Sequence, residues 1–107
     1  MITRYAMFEG TIKAGQKEAF RAAVLDELLP KWEAFPGART VRVTFTDEAD
    51  DGAPAFPLIM EIDYEDRDAV TTALNSDART EGKAATEALL PRFIEGRIHH
   101  NITTKAV

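Results

Sequence analysis

Residues 38–46 read Ala-Arg-Thr-Val-Arg-Val-Thr-Phe-Thr, with Val41, Val43 and Phe45 alternating against Thr40, Arg42 and Thr44. Successive side chains of a strand point to opposite faces, so this pattern predicts a strand with one dry and one wetter face. A second run, Phe56 to Tyr64, repeats the pattern: Leu58, Met60 and Ile62 on one face, Ile59, Glu61 and Asp63 on the other. Between them, Asp47 to Pro54 holds Asp47, Glu48, Asp50 and Asp51 with a glycine and a proline, the composition of a solvated turn. The two runs therefore predict a hairpin of matching polarity.

Helical periodicity flanks the hairpin on both sides. Upstream, Phe20, Val24 and Leu28 recur at helical spacing with Ala23 beside them, and Gly15 is the expected N-cap with Glu18 three positions on. Pro30 lacks an N–H, so the helix is expected to kink there or restart before Pro36-Gly37 stops it. Before this helix, Ile2 to Thr11 is rich in β-formers and is read as a short first strand. Downstream, Glu65 or Asp66 is placed to cap a helix through Ala69, Val70, Ala73 and Leu74, and Ser76 to cap a restart that ends near Pro91. Phe93 to Thr104 alternates again, with Ile94, Ile98 and Ile102 opposed to Glu95, Arg97, His99, Asn101 and Thr103.

The order is βαββαβ, an α+β ferredoxin-like arrangement in which a four-stranded antiparallel sheet carries two helices on one face. No linker or repeat interrupts residues 1–107, which are read as one domain. The aliphatic rows belong under the helices. The face left open then carries Thr40, Arg42, Thr44, Ile59, Glu61 and Asp63, joined by Arg97, His99 and Asn101 from the last strand. For the first strand, Ala6 and Phe8 are preferred under the helices and Tyr5 and Met7 on the open face, because Glu9 then falls on the wetter side.

With these elements in this order, the chain resembles the dimeric α+β barrel superfamily, and within it the EthD-like and antibiotic-biosynthesis-monooxygenase-like proteins. The resemblance runs over nearly the whole length. It rests on Lys13-Ala14-Gly15-Gln16-Lys17-Glu18-Ala19-Phe20, on Phe35-Pro36-Gly37-Ala38, on Ala69 through Leu74 to Ser76, and on Phe93-Ile94-Glu95-Gly96-Arg97. It implies a homodimer joined through its sheets, in which each subunit keeps a cleft between sheet and helices or loops for a small organic molecule. Such families include cofactor-free monooxygenases, cyclases, isomerases and accessory proteins of xenobiotic breakdown. The histidine often present in the first helix of EthD-like proteins is absent, the corresponding stretch being Leu25-Asp26-Glu27-Leu28-Leu29-Pro30.

Composition narrows the choice of chemistry. A net charge of −5 without a basic run argues against a phosphate backbone as partner, so no nucleic acid is expected. The absence of cysteine excludes disulfides, thiolate metal sites and cysteine nucleophiles. No run of eighteen apolar residues and no charged leader before an apolar stretch occurs, so no membrane association is expected and the chain is read as cytoplasmic. Phosphate-loop, dinucleotide, serine-hydrolase and zinc-protease signatures are missing, and His99 and His100 point to opposite faces of a strand, so neither a cofactor nor a metal is expected.

The candidate residues lie chiefly on the open sheet face. His99 is the acid/base candidate, with Glu61 or Asp63 to set its tautomer and raise its pKa. Arg42 and Tyr5 are candidates to hold a substrate oxygen, with Arg97, Asn101 and, near the first helix end, Trp32 as further binding residues. Each has a structural alternative: His99 in a dimer interface, Arg42 paired with Glu61 or Asp63 across the hairpin, Tyr5 and Trp32 in packing. His100 is read as a packed or edge residue. The functional expectation is a small-molecule-binding protein, as a cofactor-free catabolic or biosynthetic enzyme or accessory enzyme using acid/base chemistry in a cleft. The alternatives are a non-catalytic ligand-binding or sequestering module, or a cofactor-free monooxygenase acting on a phenolic or quinol-like compound.

Overall fold

In the computed structural model, which describes residues 1–107, the first strand is the organising element. β1 (Ile2–Ile12) pairs antiparallel with β3 (Leu58–Tyr64) on one side and with β4 (Ile94–Thr104) along its full length on the other, and β2 (Thr40–Phe45) completes the order β2-β3-β1-β4. The first strand, expected over Ile2 to Thr11, runs to Ile12. Gly10 does not end it because it lies opposite Gly96, and the two backbones approach so closely that a Cβ on Gly96 would sit 1.7 Å from the Glu9 carbonyl oxygen. The other strands keep the expected phase, with β2 and β3 registering Arg42 against Glu61 and Thr40 against Asp63.

The first crossover runs as α1 (Lys17–Ala23), a π-helical turn (Val24–Leu28) and α2 (Leu29–Glu33). Its N-cap is Gln16; Gly15, at φ +75°, serves the turn before it instead. The π turn explains how the helix passes Pro30. A proline ring collides with the carbonyl four residues back in a regular helix, here that of Asp26, and the wider ladder, in which the Leu29 N–H donates to the Val24 carbonyl, opens that spacing. The second crossover divides as expected into α3 (Arg67–Leu74) and α4 (Asp77–Leu89). Asp66 accepts from the Ala69 N–H at 2.8 Å and Ser76 from the Arg79 N–H at 3.1 Å. A 3₁₀ turn (Leu90–Arg92) leads into β4.

The helices cover one sheet face. Phe20 sits edge-on to Phe93 and Phe45, at ring separations of 5.6 and 6.3 Å, and Trp32 lies 6.1 Å from Phe8. These contacts bring the α1–α2 run down on the sheet beside the buried Leu58, Met60 and Ile62. The first-strand phase is as expected, with Ala6 and Phe8 buried and Tyr5 and Met7 half-buried on the open face. No helix is long and apolar enough to cross a membrane.

Candidate functional site

Where α2 and α4 diverge over β1 and β4, the helices leave a cavity of about 630 Å³. Its floor is built by strand alternation: Arg4, Ala6 and Phe8 from β1, and Ile94, Ile98 and His100 from β4, all on the helix side of the sheet. Trp32 and Phe35 form one wall. The other is a single face of α4, where Arg79, Lys83 and Thr86 follow at spacings of three and four, continued by Leu90 at the start of the 3₁₀ turn. Gly96 leaves the floor without a side chain between Ile94 and Ile98.

The polar groups that share the lining with these apolar side chains are unbalanced in charge. Arg4 is only 8% exposed, yet its guanidinium has no hydrogen-bond acceptor and no carboxylate partner in the chain. Burial and the Arg79 charge hold its pKa below the ordinary value. None of its nitrogens is sealed from the surface, so these unpartnered donors open onto the cavity and are free to meet water or a ligand there. Arg79 is half-buried and likewise unpaired, whereas Lys83 lies 3.9 Å from Glu87 one turn on. His100, opposite Ala6 at the cavity mouth, is exposed, but the atoms packed around its ring, and after them the Arg4 charge, hold its pKa below the usual histidine value. Thr86 Oγ1 is committed to the Gly82 carbonyl at 2.8 Å.

The residues singled out from the sequence divide between this cavity and the opposite sheet face. Trp32 lines the cavity, 2% exposed; Arg97 borders it from β4, but its guanidinium turns to the other side, 3.7 Å from Glu9. His99, Glu61, Asp63, Arg42, Tyr5 and Asn101 all lie on the open face. The structure does not bring His99 to Glu61 or Asp63: its Nε2 meets Glu9 Oε1 at 2.6 Å, because the register sets Met7, not the β3 carboxylates, beside it. That bond, ahead of the Arg97 charge, lowers the Glu9 pKa. Phe56 stands edge-on to the imidazole at 6.0 Å. Arg42 donates to both Asp63 oxygens at 2.8 and 2.9 Å and stands 3.5 Å from Glu61, while the Thr3 hydroxyl donates to Asp63 at 2.6 Å. Asp63 is thereby held below the usual carboxylate range, chiefly by Arg42.

Tyr5, Arg42 and Asp63 share a polar hollow of about 470 Å³ with Thr3 and Lys105, but there the Arg42 and Asp63 charges are already matched. No group of three or more histidine, aspartate or glutamate side chains is close enough together to hold a metal ion. Arg4, Arg79 and His100 were not singled out by sequence reasoning. The signal for Arg4 and His100 was present: each is a polar exception in an otherwise apolar row, Ile2-Arg4-Ala6-Phe8 and Ile98-His100-Ile102, and the two rows are neighbours.

The sequence matches no model of a known protein family and no curated protein. The fold is nevertheless shared with solved structures. An EthD (ethyl tert-butyl ether) family protein from Bacillus halodurans aligns with a TM-score of 0.72 at 21% identity, over 92% of this chain and 96% of that one. SnoaB, a cofactor-independent oxygenase from Streptomyces nogalater, aligns with a TM-score of 0.65 at 16% identity, over 99% and 93%. A dimeric protein of unknown function with a ferredoxin-like fold from Bacteroides fragilis aligns with a TM-score of 0.60 at 9% identity, over 95% and 94%. The chain therefore has the ferredoxin-like α+β fold expected from its sequence, the fold of the EthD-like and oxygenase structures it resembles.

Proposed function

We propose that the protein binds a small organic molecule in the cavity between sheet and helices, and that its open sheet face joins a second copy. The observation that carries the reading is the cavity itself: about 630 Å³ of space lined by Phe8, Trp32, Phe35 and Ile98 together with polar groups, Arg4, Arg79 and His100 among them, a combination suited to a ligand site. The likeness to an EthD family protein and to a cofactor-independent oxygenase supports it at the level of the fold. In a catalytic form of this reading, His100 is the proton acceptor. It stands at the cavity mouth and is held uncharged at neutral pH, the state a general base needs.

Dimerisation is supported by the half-buried Tyr5, Met7 and Ile59 on the uncovered face, and by the dimeric Bacteroides fragilis neighbour. On this arrangement, His99, Glu9, Arg42 and Asp63 form the polar network of the interface.

Trp32 is the only tryptophan and lies in the cavity wall, so its fluorescence reports occupancy. The test is a screen of aromatic and aliphatic small molecules by Trp32 emission, with oxygen uptake followed for phenolic and quinol-like compounds. A compound that changes the emission in the native chain and loses its effect when Ile98→Trp fills the cavity supports the reading. Binding unaffected by filling the cavity places the ligand elsewhere and sinks it. Oxygen consumption lost in His100→Ala would assign an oxygenase; ligand binding without turnover would assign a sequestering protein.

A further inference from the structure

We propose that the cavity selects a monocarboxylate with an apolar body, its carboxylate lying between the guanidinium groups of Arg4 and Arg79. The inference rests on the cavity being a ligand site and adds the chemical class of the ligand.

Three cationic side chains line the cavity in phase with its floor and its α4 wall: Arg4, Arg79 and Lys83. The one carboxylate among them, Glu87, is taken by Lys83. Glu95 borders the cavity from a position out of phase with Ile94 and Ile98 and pairs with neither arginine. Two cations are therefore left over in a chain whose overall charge is −5, and both line the same cavity. Arg4 is more than nine-tenths buried, so the walls hold its position, and it presents a planar fork of donors that nothing in the chain accepts. A carboxylate answers such a fork with two parallel hydrogen bonds, a geometry that a single carbonyl or hydroxyl oxygen does not reproduce.

Arg79 lines the same cavity from the α4 wall, and two like charges on one space with no acid paired to either favour an anion between them. The same cavity is lined by Phe8, Trp32, Met60 and Ile98, surfaces that favour an apolar body on the ligand. The space accommodates either a fused aromatic system or a medium-length alkyl chain, and both present the same carboxylate.

The experiment is calorimetric titration of the whole chain with 2-naphthoate, decanoate and the neutral 2-naphthamide, with Trp32 emission followed in parallel. At least one acid is expected to bind roughly tenfold or more tightly than the amide, the scale of hydrogen bonds to a charged group. Arg4→Met and Arg79→Met should each remove that preference while leaving the weaker amide binding in place. Arg79, on the more accessible wall, keeps the test available if Arg4→Met fails to fold. Arg39→Met, which removes a pair with Glu65 away from the cavity, should change nothing. Binding of one acid and not the other still supports the proposal and settles whether the body is aromatic or aliphatic. Equal binding of acid and amide with Trp32 responding, or an undiminished acid preference in both arginine variants, overturns the carboxylate assignment and leaves the cavity reading intact. No binding by any of the three overturns both.

Discussion

His99 and His100 are consecutive in β4 and serve opposite sides of the sheet: His99 Nε2 lies 2.6 Å from Glu9 Oε1 on the open face, and His100 stands opposite Ala6 at the cavity mouth. Burial first, then the Arg4 charge, with Arg79 and His99 adding smaller contributions against the Tyr5 carbonyl, push the His100 pKa below its ordinary 6.5. A histidine with a depressed folded-state pKa binds its proton more readily when unfolded. Stability is therefore expected to decline as the pH falls from about 6.5 towards the folded value. Imidazole resonances in NMR should show His100 titrating below that value, and Arg4→Met should move it upward. A His100 midpoint at or above 6.5 in the native chain would contradict the assignment.

The Arg42–Asp63–Thr3 cluster makes the opposite kind of pH prediction. Asp63 is held below its ordinary 3.8, first by its hydrogen bonds from Arg42 and then by Thr3. Its contribution is present above the unfolded-state pKa and lost as the pH falls through the folded one. Asp63→Asn should cost up to about 1 kcal/mol at pH 7, since Arg42 is partly exposed and the pair is screened. The variant should also show a flatter acid limb in urea denaturation measured from pH 6 to 2. Parallel curves for the two proteins would show that the pair contributes nothing.

Gly96→Ala should destabilise by about 3 kcal/mol or more, beyond ordinary overpacking, because the obstruction is the Glu9 backbone and not a movable side chain. Chemical denaturation checks the value. A loss under 1 kcal/mol would mean that β1 and β4 can separate at this point without cost.

On the proposed pairing through the open face, the native chain should sediment as a dimer and Met7→Arg as a monomer, without changing the Trp32 response to a bound compound. His99→Ala should weaken the dimer and leave cavity binding as it was, since His99 and the cavity are on opposite faces. Loss of ligand binding in His99→Ala with an unaltered dimer would return the site to the open face.

The fold was legible because three strands carry an aliphatic row opposed to a polar one, and because Asp66 and Ser76 mark their helix starts by side chains that do cap them. The extent of β1 was legible to within one residue, but the close approach of Gly10 to a glycine 86 positions later was not, since that pairing is a tertiary fact. Half of the polar geography followed from phase alone, including the Arg42–Asp63 pair across the hairpin. A cleft between sheet and helices was implied by the family resemblance and Trp32 was named as a binding residue, but Arg4 and His100 did not follow, because they are informative by standing on the apolar face and not the polar one. Arg79 was hidden for another reason. On a helix rich in charge nothing in the sequence separates the arginine that faces the sheet from those that face water.

The π turn at Val24–Leu28 also sets the rotational phase of everything after it. Adding one residue to a helical turn rotates the following side chains by about 100° relative to those before. Phe20 accordingly addresses Phe45 and Phe93, whereas Trp32 turns to Phe8 and the cavity. Deleting one residue within 24–28 would swing Trp32 out of the wall. The space beside it thus depends on a local count of residues in the chain as well as on which side chains line it.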